Sequence, residues 1–108
     1  MNRQGKVFVN EIFAGIVFQD DEGYGFKYDK NYLEKYLEPV SLTLPLRENA
    51  YRSKTMLPFF DGLIPEGWLL KIAEKNWKLN EKDRMGLLLS VCKDNIGNVS
   101  VESISKND

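Results

Sequence analysis

The sequence of 108 residues contains no histidine and a single cysteine, Cys92. The first absence removes the commonest general base, the usual nucleophilic triad and most zinc sites together. The second excludes an intrachain disulfide, which fits a reducing compartment. No excess of one charge is present either: fifteen basic residues face sixteen acidic ones, and neither sign forms the long run that holds phosphate backbones. The longest apolar stretch, Met85 to Cys92, is broken by Gly86 and Ser90 and falls well short of the roughly 20 residues of a membrane span. Met1 to Gly5 is polar and lacks the apolar core of a signal peptide. These absences point to a cytoplasmic protein that contacts neither nucleic acid nor membrane directly.

What is present is the composition of an ordinary globular domain, with 43% hydrophobic and 29% charged residues. A chain of this length buries about two-thirds of its unfolded surface, enough for one modest core. One domain is expected over residues 1–108, with a core from 6 to 102 and a polar tail from 103 to 108. No internal repeat or low-complexity segment appears.

The first forty residues carry β-branched and aromatic clusters separated by turn residues: Val7-Phe8-Val9, then Ile12-Phe13 and Ile16-Val17-Phe18, then Tyr24, Phe26 and Tyr28. A meander follows, with a tight hairpin at Asn10-Glu11 and a longer turn at Asp20 to Gly23. Phe26 and Tyr28 alternate with Gly25 and Lys27, which predicts one buried face and one wet one. Asn31 to Glu38 reads as a short helix closed by Pro39, and Val40, Leu42 and Leu44 as a fourth strand ending at Pro45. Leu46 to Thr55 reads as a polar loop. Pro58 opens a short helix that stops at Gly62, and Pro65 opens a longer one to about Lys78. Asn80, with Asp83 three residues on, predicts the cap of a further helix through Met85, Leu87, Leu88 and Val91. Val99 and Val101 form a last short strand. The expected fold is α+β: an antiparallel β-meander of about four to five strands with about three to four short helices packed on one side.

Catalytic chemistry finds little support in the residues present. Cys92 lies near the end of an apolar helix without a base to activate it and reads as a buried structural thiol. Asp20, Asp21 and Glu22 lack the alternating ligands of a calcium loop and read as a solvated turn. Gly23-Tyr24-Gly25 has no following helix or lysine to make a phosphate cradle. No kinase signature is present. No enzyme activity, metal or cofactor is therefore expected.

A surface argument remains, centred on Trp68. At 100° per residue Leu69, Leu70, Ile72, Ala73 and Trp77 form one apolar arc, and Trp68 lies roughly 110° from its centre, beside Lys71 and Lys75. Two readings stay open: an exposed anchor that enters a pocket on a partner, or a tryptophan packed on the sheet. Phe59 and Phe60 read as residues that pin the short helix to the sheet. Lys71 and Lys75 repel each other at i,i+4 unless a partner supplies acid.

Ser41 to Leu46, Pro58-Phe59-Phe60-Asp61-Gly62-Leu63-Ile64-Pro65-Glu66-Gly67, Asp83 with Gly86-Leu87-Leu88, and Asp94 with Gly97 occur in an order and spacing that resemble the N-terminal domain of HipA-type serine/threonine kinases. These kinases are the toxins of bacterial toxin–antitoxin systems. The resemblance spans residues 6 to 102, and Pro58 to Gly67 is its specific part. The family usually has asparagine where Gly62 stands and a small residue where Asn98 stands. In HipA-type proteins the kinase domain follows directly, whereas this chain stops after its tail. In that respect it is similar to HipS-like small subunits of HipBST systems, in which the antitoxin restrains the kinase HipT and HipB binds DNA. The resemblance implies a HipT-like kinase as partner, with a HipB-like protein joining only through it. It also implies a role for Trp68, because a tryptophan after Pro-Glu-Gly in HipS-like proteins is implicated in plugging the kinase active site. The partner-binding candidates are Glu66, Gly67, Trp68, Lys71 and Lys75. Two alternatives remain: a structural subunit that leaves the kinase active, and a fragment of a full-length toxin, against which Met1 and the tail speak.

Overall fold

The computed structural model describes residues 3–64, 82–91 and 98–104. Strands β1 (Arg3–Val9), β2 (Ile12–Asp20) and β3 (Gly23–Tyr28) form the expected antiparallel meander. At the first turn Asn10 and Glu11 have φ of 51° and 70°, the paired left-handed conformation whose twist matches that of the flanking strands. The second turn is as short as the first, because Asp20 pairs directly with Gly23; the Asp20 carboxylate accepts the Glu22 N–H at 2.9 Å and tightens it.

Two further strands complete a five-stranded sheet of order β4-β3-β2-β1-β5. β5 (Val99–Ser103) is the predicted last strand and pairs with β1. β4 (Tyr51–Ser53) pairs with β3 inside the segment read from sequence as a loop. The predicted strand at Val40 to Leu44 is instead a tight turn: Leu44 N–H bonds the Ser41 carbonyl at 2.9 Å and Thr43 N–H bonds the Ser41 hydroxyl at 3.2 Å. Val40 and Leu44 are buried on either side of it, while Leu42 at its tip is 92% exposed. Hydroxyl competition for local backbone groups favours such a turn over a ladder.

Helix α1 (Lys30–Lys35) starts one residue earlier than expected, with the Asp29 side chain accepting the Tyr32 N–H, and ends before Tyr36, whose backbone is extended. α2 (Pro58–Asp61) has proline in its first turn and Gly62 as its C-cap, as predicted. α3 (Arg84–Val91) starts after Asp83, whose Oδ1 accepts the Gly86 N–H at 3.1 Å; Asn80 and the helix predicted from Pro65 to about Lys78 lie outside the described residues.

The inner face of the sheet carries Val7, Val17, Phe26 and Val101, all without exposed surface. The Phe60 ring of α2 lies 5.4 Å from that of Phe26, and Met85, Leu87 and Leu88 of α3 are fully buried. α3 approaches β1 closely at Gly5, where a Cβ would stand 2.6 Å from a Leu89 methyl. Each large side chain so buried contributes about 1.5–3 kcal/mol. Tyr28 ties the irregular connection to this core by donating its hydroxyl proton to the Leu44 carbonyl and accepting the Val40 N–H at 2.9 Å. Among the described residues no buried side-chain polar atom lacks a partner, and no helix is long and apolar enough to cross a membrane.

Candidate docking site

Glu66, Gly67, Trp68, Lys71 and Lys75 fall in residues 65–81 and lie outside the described residues, as does Cys92. The two flanks of that segment are described. On the near side every residue is bonded back into α2: Asp61 N–H to the Leu57 carbonyl at 3.0 Å, Gly62 to Pro58 at 2.9 Å, Leu63 to Phe60 at 3.0 Å and Ile64 to Asp61 at 3.2 Å. Ile64 is itself buried. Gly62 has φ −69° and ψ −15°, a right-handed conformation open to any residue, so asparagine is equally suited to this position.

On the far side, Asp83 is held by a fork from Arg3, with Nη1 to Oδ2 at 2.9 Å and Nη2 to Oδ1 at 2.6 Å. Gln19 Oε1 accepts from the Arg3 Nε at 2.9 Å and Nη2 at 2.5 Å, and the Gln19 amide donates to the Tyr24 hydroxyl at 3.3 Å. Charge-assisted bidentate pairs of this kind fix geometry as well as adding energy. The Arg3 guanidinium holds the Asp83 carboxyl below its ordinary range, with the Gly86 N–H adding to the effect, and Asp83 in turn raises Arg3. The flanks are joined to each other by Arg84 Nε donating to Asp61 Oδ1 at 2.5 Å. Both ends of the candidate segment thus start from fixed, mutually tied positions, the condition under which a binding element loses least entropy on docking.

The outer face of the sheet departs from the wet surface expected of it. Register places Phe8 opposite Phe13, Lys6 opposite Ile16 and Ile16 opposite Lys27, and Gln4 opposite Phe18. Phe8, Phe13, Ile16 and Phe18 are half-buried, and the Phe8 and Phe13 rings meet edge-on at 5.9 Å. The tip of the Phe18 ring stands over Gly25, where it leaves no room for a Cβ, and the Arg52 guanidinium lies 5.2 Å from the ring centroid. Arg52 is oriented by a fork to both oxygens of Asp20 at 2.9 Å, which holds that carboxyl low. Both Asp20 oxygens are thereby engaged in the turn, and the described residues contain no group of three or more His, Cys, Asp or Glu able to hold a metal. The sequence does carry a signal for this face: β2 is apolar at Ile12, Phe13, Ile16, Val17 and Phe18, the near-continuous run of a strand with work on both sides.

Comparison with known proteins places this chain beside a family model, a relative and a solved structure. The family model described as the HipA N-terminal domain matches residues 5–102. A protein from Haemophilus influenzae (strain ATCC 51907 / DSM 11121 / KW20 / Rd), described as an uncharacterized protein, is 32% identical over 100 residues, covering 93% of this chain and 92% of its own. A solved structure described as the N-terminal domain of HipA toxin superposes with a TM-score of 0.74 at 31% identity, over 96% of this chain and 94% of that one.

Proposed function

The chain belongs to the HipA N-terminal domain family, and we propose that it acts as an antitoxin that binds a HipT- or HipA-type serine/threonine kinase toxin and neutralises it. The observation that carries this reading is the match itself: it takes in nearly the whole chain, so the regular elements are spent on a domain that accompanies a kinase. The chain then has no catalytic step of its own and works by occupying its partner.

In this reading Trp68 enters the kinase cleft and obstructs nucleotide binding or closure of the catalytic elements, with Glu66 and Gly67 shaping the approach. Lys71 and Lys75 meet acidic side chains on the kinase, which relieves their mutual repulsion. Support comes from the flanks: Ile64 is locked to α2, Asp83 to Arg3, and Asp61 to Arg84, so the intervening segment has a fixed base. A HipB-like protein joins only through the kinase, and the complex is cytoplasmic.

The test is co-expression of the chain with a HipT-type kinase toxin. Wild type is expected to restore growth, and Trp68→Ala to fold normally yet give no protection; full protection by Trp68→Ala would exclude the insertion mechanism. Phosphorylation that continues unchanged at saturating amounts of the wild-type chain would make it a structural subunit instead.

A further inference from the structure

We propose that Asp61 and Arg84 are positioning residues for kinase binding: joined across the base of the docking segment, they hold its two ends at the separation in which it docks. This rests on the reading that residues 65–81 meet a kinase, and it names side chains that do not touch the kinase themselves. Three observations carry it. The first is place. Asp61 is the last residue of α2 and Arg84 the first of α3, and Arg84 Nε donates to Asp61 Oδ1 at 2.5 Å, so a hydrogen-bonded ion pair bridges the two points between which the segment runs. Trp68 is four residues beyond Ile64, and a fully extended chain of that length spans no more than about 14 Å. Where Asp61 to Ile64 stands therefore sets what Trp68 can reach.

The second observation is that the pair does little for the fold. Its side chains are 42% and 33% exposed at Asp61 and Arg84, and ion pairs so open to water contribute little to stability. The core is closed on either side without it, by Phe60 against Phe26 and by Met85, Leu87 and Leu88. Nor does Arg84 serve its own helix, because a cation is disfavoured at a helix N-terminus. The third is the unequal firmness of the two flanks. On the far side Asp83 is fixed to the sheet by the Arg3 fork. On the near side the chain leaves buried Phe60 through a turn with Gly62 in it, in which Leu63 N–H bonds the Phe60 carbonyl at 3.0 Å and Ile64 N–H the Asp61 carbonyl at 3.2 Å, and glycine adds backbone freedom there. The residue that Arg84 grips by its carboxylate is thus the one that holds Ile64 by its carbonyl, and the pair ties the softer flank to the firmer one. A binding segment whose base is preset in this way loses less freedom on docking.

The experiment measures association and dissociation rates on an immobilised HipT-type kinase, with a thermal melt for each chain, for wild type, Asp61→Ala, Arg84→Met, the double variant, the exchanged pair Asp61→Arg/Arg84→Asp, and Arg52→Met. Asp61→Ala and Arg84→Met are each expected to bind about fivefold more weakly, through faster dissociation, while melting within about 4 °C of wild type. The double variant is expected to bind no worse than either single one, and the exchanged pair to return to within about twofold of wild type. Arg52→Met breaks an ion pair of similar exposure, to Asp20 at the β2–β3 turn, and is expected to bind as wild type does; an equal loss there would overturn the proposal. Losses that add in the double variant, or that persist in an exchanged pair with the wild-type melt, would mean that Asp61 and Arg84 touch the kinase separately and position nothing. Should the exchanged pair melt lower, Arg84→Lys decides, since lysine keeps a donor for Asp61: an affinity near wild type supports the proposal and one as low as that of Arg84→Met overturns it. If wild type binds and both single variants bind equally well, the pair has no positioning role and the antitoxin reading stands. If wild type fails to bind the kinase at all, both readings fall.

Discussion

Ile16 and Val17 are neighbours in the chain and belong to different problems. Val17 has no exposed surface and lies under the helices, whereas Ile16, one residue before it, faces an open cleft rimmed by Lys27, Asp29 and Lys30. The same division runs along β3, where buried Phe26 adjoins exposed Lys27. A strand carries two independent sets of side chains, so selection for stability and for contact acts on alternate residues of one segment. The inner set closes a core and the outer set is free to match something else.

Truncation is the most direct way to break this comparison. Phe26→Ala is expected to lose about 3–5 kcal/mol of unfolding free energy, the usual result for a fully buried aromatic, and Phe18→Ala well under half as much; equal losses in urea titrations would show that the outer face serves the core too. A smaller effect is expected at Tyr28, where the phenylalanine variant leaves a buried N–H and carbonyl unpaired at a cost of about 1–3 kcal/mol. Burial pushes the Tyr28 hydroxyl up to about 12 from an ordinary 10. Its folded pKa being raised, the neutral form's contribution is complete below pH 10 and is lost as pH climbs towards about 12. Tyr28→Phe should remove that alkaline component, and an unchanged pH profile would contradict it. The smallest effect is expected at Asp83→Asn, which keeps a cap but loses the charge facing Arg3, for about 1 kcal/mol by urea titration. Because the Asp83 carboxyl is depressed from 3.8, its contribution is complete above that value and lost as pH falls through the lower folded value. The variant should flatten the acid limb of the stability curve, and a limb unchanged from wild type would mean that the Arg3 pairing contributes nothing.

The meander, α2 and β5 were legible because each carries its own signal: β-branched pairs between turn residues, a proline and a glycine bracketing α2, and the Val99 and Val101 alternation. β4 was not, because Tyr51-Arg52-Ser53 is too short and polar to show a period; only pairing with β3 makes it a strand. Val40 to Leu44 misled for the opposite reason. Its alternation is that of a strand, yet the Ser41 and Thr43 hydroxyls bond locally and turn the chain. For the start of α3, Asn80 and Asp83 are both good caps by residue type, and only the bond from Gly86 to Asp83 decides. For the candidate site, the wheel around Trp68 rests on pattern alone, while the Arg3 and Asp83 pairing on the far flank of that segment joins residues eighty apart, which no local pattern reveals. The outer face was readable in β2 but was judged from β3, where Gly25 and Lys27 make it look wet.

The strand order has a kinetic consequence. β1 is hydrogen-bonded on one side to β2, its neighbour in sequence, and on the other to β5, with Gly5 matched to Ser103 and Val9 to Val99. The β1–β2 hairpin can close within microseconds, but the other edge of β1 must wait until Val99–Ser103 has been made. Until then that edge is an open template for foreign strands. The sheet is therefore closed late, when β5, the last of the described strands in chain order, seals the first.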